Sequence, residues 1–91
     1  MNYQIVLSPG ANADLKSVVG WYLDIDPNLA VRFLVEYETV LRRIRRLPYA
    51  FAIRADASRR ARMNRFPYYV LYTVAMNVVT ITAIMHQRRG Q

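Results

Sequence analysis

The sequence predicts an α+β fold: an N-terminal strand, an antiparallel helical hairpin and then a three-stranded antiparallel meander, forming one twisted sheet under two helices. Two stretches of the first half carry helix-start signals and a helical period of apolar residues. The second half instead alternates its side chains with the period of a strand. With 91 residues, the chain is long enough for one core between two layers. We therefore expect a single domain over residues 1–91, with the order β-α-α-β-β-β.

The N-terminal segment predicts a strand followed by a helix. Residues 3–7 alternate in side-chain character, as a short strand does. Ser8 is a favoured N-cap, and Pro9 at the first helical position loses no hydrogen bond. Trp21 lies off the apolar stripe of this helix and is expected to face solvent. The stripe itself consists of Ala11, Leu15, Val18, Val19 and Tyr22.

The second helix has the longest apolar stripe in the sequence. Asp26 and Pro27 repeat the start signal of the first helix, so only a few residues connect the two, and an antiparallel hairpin is expected. Arg42 and Arg43 lie in its last turns, where cations complement the negative end of the helix dipole. Pro48 ends the helix. The face predicted to pack on the sheet consists of Ala30, Phe33, Leu34, Tyr37, Val40, Leu41, Ile44 and Leu47.

Two strands of the meander have clear patterns. Residues 68–74 alternate between the two faces of a strand, and residues 78–85 form a second run that is rich in β-branched side chains. The connection 75–77 has the length of a hairpin loop. Within it, Asn77 tolerates the positive φ that tight hairpin turns often require.

The remaining segments of the second half are less regular. Residues 59–65 are the candidate for the third strand, and Pro67 is expected at the start of the strand that follows. Residues 49–58 have no clear period, although Tyr49, Phe51 and Ile53 alternate and indicate a short extended piece. The position of the N-terminal strand within the sheet stays open.

The net charge of +7 is spread unevenly along the chain. Residues 1–41 carry a net charge of −3, whereas residues 42–91 carry eleven arginines against Asp56 alone, a net charge of +10. Such a surface attracts phosphates or an acidic protein partner. Arginine also pairs bidentately with carboxylate and phosphate groups. A basic face that is merely solvated is the alternative interpretation.

The composition excludes several classes of function. The chain has no cysteine and one histidine, which removes disulfides, thiol catalysis and cysteine-ligated metals. Its carboxylates are not clustered, so we expect no metal and no cofactor. No segment approaches the roughly 18 apolar residues of a membrane span, and residues 2–7 are too short for a signal peptide. We therefore expect a cytoplasmic protein without membrane contact.

Four strings in the sequence resemble those of the ParE/RelE family of bacterial type II toxin–antitoxin toxins. They are LSPGANADL at the first helix, Leu47-Pro48 at the end of the second, RFPYYVLYTV in the middle strand and the terminal ITAIMHQRR. Their order and spacing span almost the whole chain. The resemblance implies a small sheet packed under a helical hairpin, a toxic activity, and a cognate antitoxin that silences it in a hetero-oligomer.

The resemblance leaves two targets open. RelE-like members cut mRNA in the ribosome, for which they need basic side chains at the scissile phosphate and usually a general acid or base. Their strand motif typically has an arginine where this chain has Tyr69, and the tyrosine common in their C-terminal tail has no counterpart. ParE-like members inhibit DNA gyrase, and the ending from His86 to Arg89 is similar to theirs. The resemblance thus favours a non-enzymatic gyrase inhibitor over an mRNA endoribonuclease, with a weakly toxic or inactive member as a third possibility.

We expect target binding to be shared by the basic side chains at the sheet end: Arg59, Arg60, Arg62, Arg65, His86, Arg88 and Arg89. A ribonuclease would instead rely on Arg62, His86 and Arg88, because His86 is the only candidate for proton transfer near neutral pH. A strand-end histidine held by hydrogen bonds is the plainer interpretation of His86. The acidic antitoxin is expected to lay an amphipathic helix on exposed apolar surface and an extended piece beside a sheet edge. Its expected contacts are Trp21, Arg54, Arg62 and Tyr69.

Overall fold

The structure, a computed structural model, describes residues 3–88, which form two helices on one face of a five-stranded mixed sheet. The elements are β1 (Gln4–Leu7), α1 (Pro9–Ile25), α2 (Pro27–Arg46), β2 (Ala52–Ile53), β3 (Arg59–Arg62), β4 (Tyr68–Ala75) and β5 (Val78–His86). The strand order across the sheet is β1-β5-β4-β3-β2. This architecture confirms the predicted α+β fold and adds β2, a two-residue strand, to the sheet.

The first strand lies at an edge of the sheet and runs parallel to β5. Parallel neighbours need a long crossover connection, and the helical hairpin is part of it. The register pairs Gln4 with Val78 and Leu7 with Ile81, so β1 covers only the first half of β5. Within the described residues, the second half of β5 has β4 on one side and no strand on the other.

The predicted caps fix the helical hairpin. The Ser8 hydroxyl accepts the N–H of Ala11 at 3.1 Å at the start of α1. Asp26 ends α1 by donating its N–H to the carbonyl of Tyr22, and its carboxylate accepts the N–H of Asn28 at 2.9 Å to begin α2. A single residue therefore both ends one helix and caps the next, which confirms the predicted short connection.

Aromatic rings form the centre of the core. Phe33 is fully buried, and its ring centroid lies 5.7 Å from that of Tyr22, 5.4 Å from that of Phe66 and 5.8 Å from that of Tyr68. Tyr37 stacks on Phe33 at 6.3 Å. These contacts confirm that α2 packs on the sheet through the middle of its predicted stripe.

The predicted stripe of α2 was too wide at two positions. Leu34 is 37% exposed and Leu47 is 61% exposed. Neighbouring helical residues point about 100° apart, so with Phe33 at the centre of the contact Leu34 is turned towards the rim. Leu47 follows the last helical residue, Arg46, and its backbone, with φ −139° and ψ 69°, no longer keeps the helical direction.

The turns of the meander differ in detail from the prediction. The hairpin loop consists of Met76 and Asn77, and the positive φ of 55° belongs to Met76 rather than to Asn77. Asn77 instead offers its carbonyl to the N–H of Gln4 at 2.8 Å. The third strand stops at Arg62 instead of residue 65, and Pro67 precedes β4 as expected.

Candidate target-binding surface

The two faces of the sheet differ in charge. One face lies under the helices and carries buried side chains such as Ala61, Val70 and Tyr72. The residues at the alternate positions of these strands belong to the other face of the sheet. We call this surface the open face, and it consists of Arg60, Arg62, Tyr69, Leu71, Thr73 and Met85. The chain's carboxylates lie elsewhere, since Asp14, Asp24, Asp26, Glu36 and Glu38 belong to the helical hairpin and Asp56 to the turn between β2 and β3.

The end of the sheet where β5 stops brings together several predicted target-binding residues. Tyr68 pairs with His86 and Tyr69 pairs with Arg62, so the ends of β3 and β5 flank the start of β4. We call the following set the basic end: Arg62, Arg65, His86 and Arg88. Arg60 lies two residues further along β3 on the same face as Arg62, about 7 Å away. Arg89 lies outside the described residues.

Arg59 is not part of the basic end. It faces Tyr72 at the opposite end of β3. Its Nη1 donates to the carbonyls of Phe51 at 2.8 Å and Tyr49 at 3.2 Å, and its guanidinium lies 5.1 Å from the centroid of the Tyr49 ring. These contacts hold the segment that leads into β2, so the structure gives Arg59 an internal role that the sequence analysis did not foresee.

Two contacts hold the His86 ring in place at the end of β5. Its half-buried ring lies edge-on to that of Tyr68, with the centroids 5.2 Å apart. Its Nδ1 accepts the backbone N–H of Arg88 at 3.1 Å. The neutral ring therefore carries its proton on Nε2 and has no second acceptor to offer. This arrangement fits the structural interpretation of His86 better than a role as general base.

A carboxylate of α2 fixes the turn that carries Arg65. The Glu36 oxygens accept the N–H of Arg65 at 3.0 and 3.2 Å and also the N–H of Asn64. The sequence analysis gave Glu36 no role, because a polar position on an amphipathic helix carries no local signal for a contact with a distant turn. Glu36 therefore joins the helical hairpin to the basic end.

The residues predicted to contact the antitoxin do not form one patch. Arg62 and Tyr69 are register partners on the open face. Trp21 is 63% exposed on α1, as its place off the stripe predicted. Arg54 lies beside β2, at the sheet edge opposite β1. The four residues thus belong to three separate regions of the surface.

Trp21 lines a groove between α1 and the second half of β5. The groove has a volume of about 540 Å³, and Ile84 and His86 also line it. The N–H of Ile84 donates to the Asp14 carboxylate at 3.0 Å, so a side chain occupies the place of a neighbouring strand. An edge of this kind is where an extended peptide can add to a sheet.

Metal sites and membrane-spanning helices are both absent from the described part of the chain. Residues 3–88 contain no group of three histidine, cysteine, aspartate or glutamate side chains arranged to hold a metal ion. Neither described helix has both the length and the apolar character that crossing a membrane requires.

The fold and the family can both be compared with those of known proteins, which are toxins of bacterial type II toxin–antitoxin systems. A solved structure described as "Chromosomal ParDE TA system from P. aeruginosa" matches with a TM-score of 0.79, covering 92% of this chain and 95% of that chain at 17% identity. That likeness shows the fold. No curated protein sequence is significantly similar to the chain. The family model "ParE toxin of type II toxin-antitoxin system, parDE" matches residues 5–90, and the chain belongs to this family.

Proposed function

We propose that this ParE-family toxin inhibits DNA gyrase by binding to it, acts in the cytoplasm and is neutralised by a cognate acidic antitoxin. The observation that carries the proposal is the way the groups at the basic end are engaged. His86 accepts a backbone N–H through Nδ1. Glu36 and Asp14, the carboxylates that reach the turn 63–67 and the end of β5, also accept backbone N–H groups.

Cleavage of RNA needs a positioned acid and base at the scissile bond. Among the described residues, His86, Glu36 and Asp14 each accept a backbone N–H, and no two of them are hydrogen-bonded to each other as a catalytic acid and base would be. Arginine side chains there can still form bidentate contacts with carboxylates of a protein target. The surface therefore supports inhibition by binding more directly than catalysis.

The alternative is a ribosome-dependent mRNA endoribonuclease, and one observation favours it. Arg62 and His86 both reach the end of the sheet where β4 begins, Arg62 from the open face and His86 from the face that α1 covers, and basic side chains are what a scissile phosphate requires. The two functions differ in their response to single substitutions. A binding surface loses activity in graded steps, whereas His86→Ala would abolish an activity in which His86 transfers a proton.

The antitoxin is proposed to bind the helical side of the molecule and the half of the β5 edge that β1 does not cover, where an incoming strand would displace the Asp14 carboxylate from the N–H of Ile84. Six large apolar side chains are exposed on the two helices: Trp21, Leu23, Ile25, Val31, Leu34 and Val35. An amphipathic helix fits such a surface, and an extended segment fits the groove beside Trp21. Because the toxin is basic, an acidic antitoxin would associate more slowly at high salt, while buried apolar contacts would set a dissociation rate that depends little on salt.

The proposed function is tested by titrating the purified toxin into a gyrase supercoiling reaction on relaxed plasmid. An inhibitor that acts by binding reaches its full effect at a fixed ratio of toxin to gyrase and is reversed by adding the antitoxin. Arg62→Ala and Arg65→Ala should each raise the toxin concentration that is required, with neither abolishing inhibition. Supercoiling that continues unchanged in a large excess of folded toxin would contradict the proposal.

A further inference from the structure

We infer that the open face of the sheet binds the phosphate backbone of duplex DNA, so that this toxin contacts the DNA held by gyrase as well as the enzyme. The inference rests on the proposed function, because gyrase supplies the DNA. It concerns a different surface from the antitoxin groove, which lies beside α1.

The open face is positively charged. The open face carries the guanidinium groups of Arg60 and Arg62, and both residues are exposed. None of the aspartate and glutamate side chains in residues 3–88 lies on this face, so none of them neutralises it. The face also continues into the basic end through Arg62. A surface with one sign of charge concentrates a polyanion near it.

Of the two arginines on the open face, Arg60 is held in place by an aromatic ring. The guanidinium of Arg60 lies 4.6 Å from the centroid of the Tyr69 ring. Stacking on a ring leaves the N–H groups at the edge of the guanidinium plane able to donate to phosphate oxygens. A side chain that is already ordered loses less conformational freedom when it binds. Stacking on Tyr69 therefore preorganises Arg60 for binding an anion.

The scarcity of exposed apolar side chains on the open face favours nucleic acid over protein as the partner. Protein interfaces bury apolar anchors at their centre, but the open face around Arg60 offers very few. Leu71 is on this face yet only 5% exposed, and the large apolar side chains that are exposed lie mainly on the helices and in residues 47–53. Val6 is exposed on β1, at the sheet edge away from β3. Contacts from arginine and from hydroxyl groups such as that of Thr73 are what a phosphate backbone accepts.

The test measures binding of a short fluorescein-labelled DNA duplex of arbitrary sequence by fluorescence anisotropy, between about 0.05 and 0.2 M salt. The double variant Arg60→Gln/Arg62→Gln removes two cations from the open face. Its control, Lys16→Gln/Arg45→Gln, removes two exposed cations from the helices and changes the net charge equally. Circular dichroism melts establish that each variant is folded.

We expect wild-type protein and the control to bind with similar salt dependence. The open-face variant should lower the magnitude of the slope of log K against log salt by about 1.8, since each lost phosphate contact removes about 0.9. Arg60→Lys should keep the slope, because it keeps the charge, but weaken binding severalfold, because it loses the planar stack on Tyr69. Absence of binding at the lowest salt, or equal losses in both double variants, would overturn the inference.

Two further arms decide the identity of the partner. Single-stranded DNA and RNA of the same sequence are measured in parallel, and a clear preference for RNA would overturn the assignment to duplex DNA. In the supercoiling assay, Arg60→Gln, which leaves the basic end unchanged, should need severalfold more protein for the same inhibition. If Arg60→Gln weakens DNA binding yet inhibits gyrase as the wild type does, this inference fails and the proposed function stands. If wild-type toxin binds DNA but leaves gyrase active, the proposed function fails.

Discussion

Tyr37 and Tyr72 are both buried in the core, but only one of their hydroxyl groups has a partner. The Tyr72 hydroxyl donates to the carbonyl of Pro48 at 2.6 Å. The Tyr37 hydroxyl is buried with no hydrogen-bond partner among the described residues. The substitutions Tyr37→Phe and Tyr72→Phe remove the same atom, and we expect them to change the free energy of unfolding in opposite directions.

The expected change in the free energy of unfolding follows, for each variant, from the environment of the hydroxyl group that it removes. Tyr72→Phe leaves the Pro48 carbonyl without its donor, and an unmet buried acceptor costs about 1–3 kcal/mol. Tyr37→Phe removes a polar group whose burial without a partner is itself unfavourable, so stability should rise by about 1 kcal/mol. Both changes are measurable against a total of about 5–14 kcal/mol for a chain of this length.

Urea denaturation followed by far-ultraviolet circular dichroism measures both variants against wild type. The expected result is a lower midpoint for Tyr72→Phe and a higher midpoint for Tyr37→Phe, with the same dependence on urea. A lower midpoint for Tyr37→Phe would contradict the prediction, because it would mean that the hydroxyl makes a favourable interaction.

Alkaline pH tests the same pair. Burial raises the pKa of Tyr37 to about 12, with a smaller contribution from the charge of Glu38. Burial also raises the pKa of Tyr72 to about 12, although the positive charge of Arg59 opposes the shift. Between pH 10 and 12 the unfolded chain therefore binds fewer phenolic protons than the folded one, and stability falls as pH rises. Tyr37→Phe removes one of these groups and should lessen that fall.

Two further predictions concern α2. Phe33→Ala should cost about 3–5 kcal/mol because it empties the aromatic centre of the core, whereas Leu34→Ala, at the next residue, should cost less than about 1 kcal/mol; equal losses in denaturant melts would contradict the observed packing. Glu36→Gln should speed amide hydrogen exchange in residues 64–65 by about tenfold, because it weakens the charged acceptor of those N–H groups, and the matched variant Glu38→Gln should leave that exchange unchanged.

The elements of this fold could be predicted because their signals are local. Ser8 with Pro9 and Asp26 with Pro27 mark helix starts through contacts within three residues, and the structure has both caps. The alternation in residues 68–74 likewise follows from the strand geometry itself. By contrast, the parallel pairing of β1 with β5 joins residues more than 70 positions apart, and no periodicity encodes it.

The details of the candidate site could be predicted only in part. Clustering of arginine along the chain indicated a basic sheet end, and the register brings Arg62 and His86 to it. Clustering did not reveal that Arg59 donates hydrogen bonds to two backbone carbonyl groups, because the face to which a strand residue's side chain points depends on register. Nor did it reveal that Glu36 anchors the turn 63–67, since that contact exists only once α2 lies on the sheet.

This ParE-family toxin is proposed to act on gyrase by binding, and a comparison of two reactions distinguishes that activity from cleavage of mRNA. A single preparation of the toxin is assayed for gyrase supercoiling and for translation of a reporter mRNA in a purified system, over the same concentrations. Supercoiling should stop at a stoichiometric ratio of toxin to gyrase while translation continues and the mRNA stays intact. Cleavage of the mRNA by toxin at a fraction of the ribosome concentration, with supercoiling unaffected, would instead show that the toxin is an endoribonuclease.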